Sequence, residues 1–341
     1  MNSQRRTQIN KTKTIVQWSG VWAICCLATV GQAQITNKLV VHLPFDNNYT
    51  NTVVNTVTAT PKGNPVFAAG MIGAGAVTLT TLMDGSEISY VSLGSPVELQ
   101  FGAVTNGSAT DFSICFWANY TNQVDDPALI SNKNWNNSLN QGWGIFTQNG
   151  GNLRVDTVDD RGNLGRQSTT STPNVRDGDW HHIAAVWVRT NAVAIYVDGA
   201  LATSSSLLPV TGPIASGLPV NIGQDGTGLY TDNGSAEMVV NLDDLGIWRR
   251  ALSSGEVSAI YNAGLGGTNI ANVPTPPVTE PPVLTLTKDA GNTLTLSWTG
   301  SGTLYESAVL SNTTTWTPAA NQNNPQTVTI GTDNRFYRIG P

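Results

Sequence analysis

Apolar and polar positions alternate in short runs along most of the chain, and Gly, Asn and Asp clusters separate the runs. Phe112-Ser113-Ile114-Cys115-Phe116-Trp117-Ala118-Asn119-Tyr120 shows the pattern well. Successive side chains on a strand point to opposite faces, so Phe112, Ile114, Phe116 and Ala118 share one face, and Cys115 and Trp117 share the other. With apolar residues on both sides, this strand must be at least partly covered on both. The runs at 180–189 and 192–197 make a hairpin through Arg189-Thr190-Asn191, and Asp198-Gly199 starts the next turn. Further strands are expected at 128–131, 142–147, 153–158, 220–223 and 237–248. One helix is predicted. Ser253 and Glu256 have capping-box spacing, Val257, Ile260 and Tyr261 form its apolar face, and Gly264 is expected to end it. Regularly spaced short strands imply an all-β, two-sheet sandwich.

The chain divides into four parts. Residues 1–33 combine a basic leader (Arg5, Arg6, Lys11, Lys13), an apolar run from Ile15 to Val30 and a small-residue end at Gly31-Gln32-Ala33. That is the pattern of a secretory signal peptide, and its apolar run is shorter than the ~20 residues of a membrane span. A β-rich domain is expected over 39–267, a Pro/Thr-rich linker over 268–282 and a small β-sandwich module over 283–341. No stretch after the leader is long enough to cross a membrane.

Composition supports an extracellular β-protein. Charged residues make up 12% of the chain, against roughly 25% in average proteins, so Ser, Thr, Asn and Gln must finish the surface. The 17 Lys and Arg against 23 Asp and Glu give −6, and loss of the four leader cations gives −10. Such a chain is a poor partner for nucleic acid, whose phosphates need Lys and Arg. Cys25 and Cys26 leave with the leader, and Cys115 alone cannot make an internal disulfide. It reads as a small buried apolar residue.

Several ordered motifs resemble one family. They are His42-Leu43-Pro44-Phe45-Asp46, the glycine-rich run from Gly70 to Val77 with Tyr90-Val91, and the strand from Phe112 to Trp117. Asp179-Trp180-His181-His182-Ile183-Ala184 with Tyr196-Val197-Asp198-Gly199 follows, then Asp243-Asp244-Leu245-Gly246-Ile247-Trp248. Together they resemble the laminin G-like jelly roll of the concanavalin A-like superfamily. Leu294-Thr295-Leu296-Ser297-Trp298, Trp316 and the ending Arg335-Phe336-Tyr337-Arg338-Ile339 resemble fibronectin-like modules that end many secreted bacterial proteins.

The resemblance implies a binding module or a glucanase on the same fold. Laminarinase-type enzymes carry Glu-x-Asp-x-x-Glu on one strand, which sets two carboxylates on one concave face. That spacing is absent from this chain, as are a nucleophile elbow, a phosphate loop and a Cys-based zinc motif. The expectation is therefore a secreted, non-catalytic protein that recognises carbohydrate or a cell-surface ligand. A glycoside hydrolase or lyase, and an adhesive or scaffolding surface protein, are the alternatives. The partner is expected to be a glycan or an extracellular or cell-surface protein.

Two candidate sites follow. Asp46, Asp243 and Asp244 are hard oxygen ligands that suit Ca²⁺ if the first and last strands are neighbours, and the resemblance implies a calcium ion in many such domains. The alternative is that these acids cap turns and bond their own backbone. The second site lies on loops at 131–143, 159–161 and 224–232. There Asn132, Lys133, Trp135, Asn140, Trp143, Asp160, Arg161, Asp225, Tyr230 and Asp232 supply the planar polar groups and aromatic faces that sugars need. Trp143 also reads as a core residue, and the Asn-rich loops also read as turns. His181 and His182 point to opposite faces, so they suit hydrogen bonding across the sheet rather than one metal.

Overall fold

The alternating runs pair into two antiparallel sheets whose apolar faces meet. The computed structural model describes residues 35–54, 56–102, 110–274, 284–289, 291–299, 302–308, 315–329 and 335–340. The expected signal peptide and residues 275–282 of the expected linker lie outside these. In chain order the strands are β1 (Leu39–Leu43), β2 (Thr60–Lys62), β3 (Val66–Ala68), β4 (Ala76–Thr81), β5 (Tyr90–Ser92), β6 (Phe112–Asn119), β7 (Gln123–Val124) and β8 (Ala128–Ser131). Then come β9 (Gly142–Thr147), β10 (Leu153–Val158), β11 (Arg166–Thr170), β12 (His181–Val188), β13 (Ala192–Val197), β14 (Ala200–Ser206), β15 (Asn221–Ile222) and β16 (Glu237–Trp248).

One sheet runs β14-β13-β12-β6-β16-β4-β3, with β1 and β7 also paired to β16. The other runs β11-β10-β9-β8-β15-β5-β2. Consecutive strands pair by hairpins at one side of each sheet, whereas β6 and β16 pair from far apart in sequence. The architecture is the all-β jelly-roll sandwich that the strand spacing predicts.

The faces sort as the alternation requires. Phe112, Ile114, Phe116 and Ala118 join the core between the sheets, with Leu43, Ile145, Val155, Ile183 and Ile247. Phe112 stacks between Phe101 and Trp187, with ring centroids 3.9 and 4.2 Å away. Trp187 Nε1 donates to Thr157 Oγ1 at 2.9 Å, which satisfies its polar atom inside the core. Cys115 lies on the other face, with Ala184, Val186 and Trp248, under α1 (Ser254–Leu265). Burial pushes the Cys115 thiol far up, so it is an inert apolar residue.

The capping box at the start of α1 is present. Glu256 N donates to Ser253 Oγ at 3.2 Å, and Ser253 N donates to Glu256 Oε2 at 2.8 Å. Arg250 holds the same carboxylate at 2.7 Å. The predicted end is corrected. Gly264 lies inside the helix because its missing side chain lets α1 settle on the Trp117 indole, and Gly266 is the C-cap.

Both domain edges extend beyond 39–267. Ile35 is buried, and its carbonyl accepts from Trp248 Nε1 at 2.6 Å. After α1, a 3₁₀ turn over Ile270–Asn272 buries Ile270 against the same cluster, with Val273 following. The C-terminal module holds β17 (Leu284–Lys288), β18 (Thr293–Trp298), β19 (Thr303–Ser307), β20 (Thr317–Pro318), β21 (Gln326–Thr329) and β22 (Phe336–Gly340). They form two three-stranded sheets, β17-β18-β21 and β20-β19-β22. The Arg338 guanidinium lies 5.1 Å from the Tyr305 ring and 4.9 Å from that of Trp316, an arrangement that favours cation–π attraction. Among the described residues no helix is long and apolar enough to cross a membrane.

Candidate functional site

Strand β10 reads Leu-Arg-Val-Asp-Thr-Val, and its period of two sends Leu153 and Val155 into the core. Arg154 and Asp156 therefore stand on the opposite, outer face of the seven-stranded sheet. There Trp135 stacks on Phe146 of β9 at 3.9 Å, and Ala128, Tyr230 and Ala236 complete a small apolar platform. Lys133 Nζ lies 5.2 Å from the centre of the Trp135 ring and the Arg154 guanidinium lies 5.0 Å from it. Loops 131–143 and 224–232 thus meet on one face. Asp225 joins them, because its carboxylate accepts from the Trp135 and Thr227 backbone N–H groups at 3.0 and 2.9 Å.

Charge on this face is unevenly matched. Buried Asp156 accepts from Lys133 Nζ at 2.6 Å and from Arg166 Nε and Nη2 at 3.0 and 2.8 Å. Burial lowers the Lys133 ammonium to about 8 even with Asp156 beside it. On the other side, Tyr230 donates to Asp126 Oδ1 at 2.6 Å, and burial raises the Asp126 carboxyl. Asp125 is raised to about 6, first by burial and then by its hydrogen bond to Asp232.

The expected ligand set is thereby divided. Trp143 belongs to the core between the sheets, so it is not available at the surface. Asn132 is buried and accepts from Trp143 N at 2.8 Å, while Lys133 and Asp225 are consumed by the contacts above. These four are scaffold. They are polar because they tie loops together, a role that looks like ligand binding in sequence. Asn140 is half-buried and donates to the Asn134 carbonyl at 3.0 Å. Asp160 is exposed, and Arg161 is held by Asp159 and the Pro209 carbonyl. Among the described residues no hydrogen bond or ion pair links Asp160 or Arg161 to the Trp135 platform. Trp135, Tyr230 and Asp232 do come together there, although both rings are largely buried. Arg154, Asp156, Arg166, Asp125 and Asp126 were not among the expected residues. The alternation of β10 could have found two of them, since it puts Arg154 and Asp156 on one face.

The three acids expected to bind calcium do not form one cluster. Both β1 and β6 pair with β16, and the β16–β6 register shifts between Asp243 and Gly246. Asp244, in the left-handed region at φ 44°, turns its carboxylate toward β1. Its Oδ1 lies 2.7 Å from His42 Nε2, and its Oδ2 accepts from Ile270 N at 3.0 Å. Both oxygens are thus occupied, so Asp244 is a structural anchor. Asp243 and Asp46 both grip the 70–75 loop, Asp243 Oδ2 through Ile72 N at 2.8 Å and Asp46 Oδ1 through Ala74 N. Asp243 is buried, its Oδ1 has no hydrogen-bond partner among the described residues, and burial raises its carboxyl to about 7. An unpartnered buried carboxylate oxygen fits a hard cation. Among the described residues no three His, Cys, Asp or Glu side chains are grouped closely enough to hold a metal by themselves, so carbonyl groups would have to complete the shell.

The two strand histidines behave differently. His181 Nδ1 lies 2.8 Å from Asp198 Oδ2 and Nε2 lies 3.1 Å from Asp177 Oδ1, and these carboxylates raise it to about 8. His182 is buried against Trp117 and Tyr261, and among the described residues neither ring nitrogen has a partner. The expected hydrogen bonding across the sheet therefore fails for His182, because Trp117 of β6 and Tyr261 of α1 pack against it and offer it no acceptor.

The profile of the family Laminin_G_3, described as the concanavalin A-like lectin/glucanases superfamily, matches residues 84–258. A curated relative from Rattus norvegicus, the "Sushi, von Willebrand factor type A, EGF and pentraxin domain-containing protein 1", is 34% identical over 104 residues, 29% of this chain and 3% of that protein. The "Non-toxic nonhemagglutinin type D" of Clostridium botulinum D phage is 32% identical over 109 residues, 32% of this chain and 8% of that protein. This chain therefore spans less than a tenth of the length of either. Among solved structures, the binding domain of Paraclostridial Mosquitocidal Protein 1 superposes with TM-score 0.55 at 16% identity, covering 88% of this chain and 72% of that one. The binding domain of botulinum neurotoxin DC, solved with rat synaptotagmin II, superposes with TM-score 0.52 at 14% identity, covering 89% and 74%. At such identities these structures speak for the fold alone.

Proposed function

The chain belongs to the concanavalin A-like lectin/glucanases superfamily, and from that premise we propose that it is a secreted, non-catalytic protein that recognises carbohydrate at or outside a cell surface. The observation that carries this reading is the outer face of the seven-stranded sheet. Two loops and β10 assemble a largely buried aromatic cluster there, flanked by half-exposed Arg154, Asp125 and Asp232 and by exposed Ser168. The names of structural neighbours lend support, since they are toxin binding domains, and one was solved in a study of cell entry through two ganglioside molecules. The alternative partner, a surface protein, is favoured by the neighbour solved with synaptotagmin II.

A hydrolase reading has one observation behind it, the raised Asp125 next to Asp232. Glycosidase carboxylates stand roughly 5–9.5 Å apart so that a sugar or water fits between them. Asp125 and Asp232 share a hydrogen bond, which is too close for that division of labour. We assign calcium to Asp243, with Asp46 across the same loop, in a structural role: the cation would neutralise the unpartnered Oδ1 and fix the 70–75 loop.

A glycan array probed with and without chelator tests the whole reading. Binding to at least one polysaccharide class is expected. Chelator is expected to lower thermal stability more than it lowers affinity, because the 70–75 loop lies on the opposite sheet from the Trp135 platform. Absence of carbohydrate binding in both conditions would overturn the proposal in favour of a protein partner.

A further inference from the structure

Arg154 is the one strongly basic group on the Trp135 platform whose hydrogen-bonding capacity is largely unused. Its Nε donates to Ser168 Oγ at 2.9 Å. Among the described residues neither terminal nitrogen has an acceptor within hydrogen-bond distance. Asp126 Oδ2 lies 4.0 Å from Nη1, and Asp156 Oδ2 lies 3.6 Å from Nη2. Asp156 cannot move toward it, because Lys133 and Arg166 already occupy both carboxylate oxygens. Trp135 underneath, 5.0 Å away, and Ser168 at the side fix the guanidinium plane. The side chain is 21% exposed, so solvent reaches part of it.

A planar fork held this way, with both terminal nitrogens ion-paired to carboxylates but neither hydrogen-bonded, matches a carboxylate or sulfate oxygen pair. The neighbours decide between these. Asp125 and Asp232 are half-buried acceptors on the same rim, beyond Asp126. They suit hydroxyl donors and repel a densely charged polyanion. A uronic acid residue carries one carboxylate and several hydroxyls, whereas heavily sulfated chains carry more charge for each sugar.

We infer that Arg154 reads the carboxylate of a uronic acid-bearing polysaccharide, while Asp125 and Asp232 accept its hydroxyls. This rests on the reading of that face as a carbohydrate site. Arg154 is the specificity-determining residue of the site, and Ser168 and Trp135 position it.

The test uses the full chain and its Arg154→Gln and Arg154→Lys variants against polygalacturonate, alginate, dextran sulfate and neutral dextran. Calorimetry reads affinity, and thermal melting confirms that the variants fold. The wild-type chain is expected to prefer the two uronates over dextran and over dextran sulfate by roughly tenfold or more. Arg154→Gln is expected to lose that preference. Arg154→Lys, which keeps the charge but not the fork, is expected to keep only part of it. Unchanged uronate affinity in a folded Arg154→Gln overturns the inference, and so does stronger binding of dextran sulfate. Binding of dextran as strong as that of the uronates overturns it too, while leaving the carbohydrate reading intact. Failure of the wild type to bind any of these or any arrayed glycan removes the carbohydrate reading itself.

Discussion

His181 and His182 are neighbours in sequence with opposite proton affinities. His182 is lowered to about 4 by burial alone, against an ordinary value of 6.5. The unfolded chain therefore binds a proton that the folded one refuses, and stability contributed at neutral pH is lost as pH falls from about 6.5 toward 4. That depression corresponds to about 3 kcal/mol. His181 works in the other direction. Its raised value of about 8 means that its contribution is complete below about 6.5 and lost as pH rises through 8. The melting temperature is expected to be highest near pH 6.5, and His182→Phe should flatten the acid side of the curve while leaving the alkaline side in place. Sidedness of this pair was legible from the strand period. The missing partners of His182 were not, because they depend on which residues α1 lays over it.

At the scale of elements, α1 depends on a gap. A side-chain carbon at Gly264 would lie 2.7 Å from the Trp117 ring, inside contact distance. Ala favours a helix by about 1 kcal/mol over Gly, but overpacking a rigid core costs about 1–3 kcal/mol. Gly264→Ala is therefore expected to lower stability by about 1 kcal/mol in denaturant melts. Gly255, near the start of the same helix, has an open side, and Gly255→Ala should raise stability by about 0.5 kcal/mol. The strands were the most legible elements. β8, β9, β10, β13 and β16 match the expected runs residue for residue. The C-terminal end of α1 was misread because Gly264 looks like a stop signal, whereas its neighbour is an indole that no local pattern reveals. The burial of part of the loop set was hidden for a related reason. Asn132, Lys133 and Asp225 have the side chains of ligand residues, and only the fold shows that other loops consume them.

For the whole molecule, the extension past Gly267 is structural. Ending the chain after Gly267 removes buried Ile270 and the backbone donor that serves Asp244 Oδ2. The expected loss is about 3 kcal/mol, or on the order of 10 °C in melting temperature for a domain of this size. A chain ending after Pro274 keeps both and should melt like the full-length jelly roll. The same anchor has a wider consequence. Through His42, Asp244 and Ile270, the first strand, the last strand and the segment after α1 converge on one buried carboxylate. The polypeptide thus enters and leaves the jelly roll at one place. A domain built this way behaves as a cassette: it can be spliced into a much longer chain as a bead on a string, with neither neighbour having to thread around it. In the matched relatives the similar stretch makes up 3% and 8% of the protein.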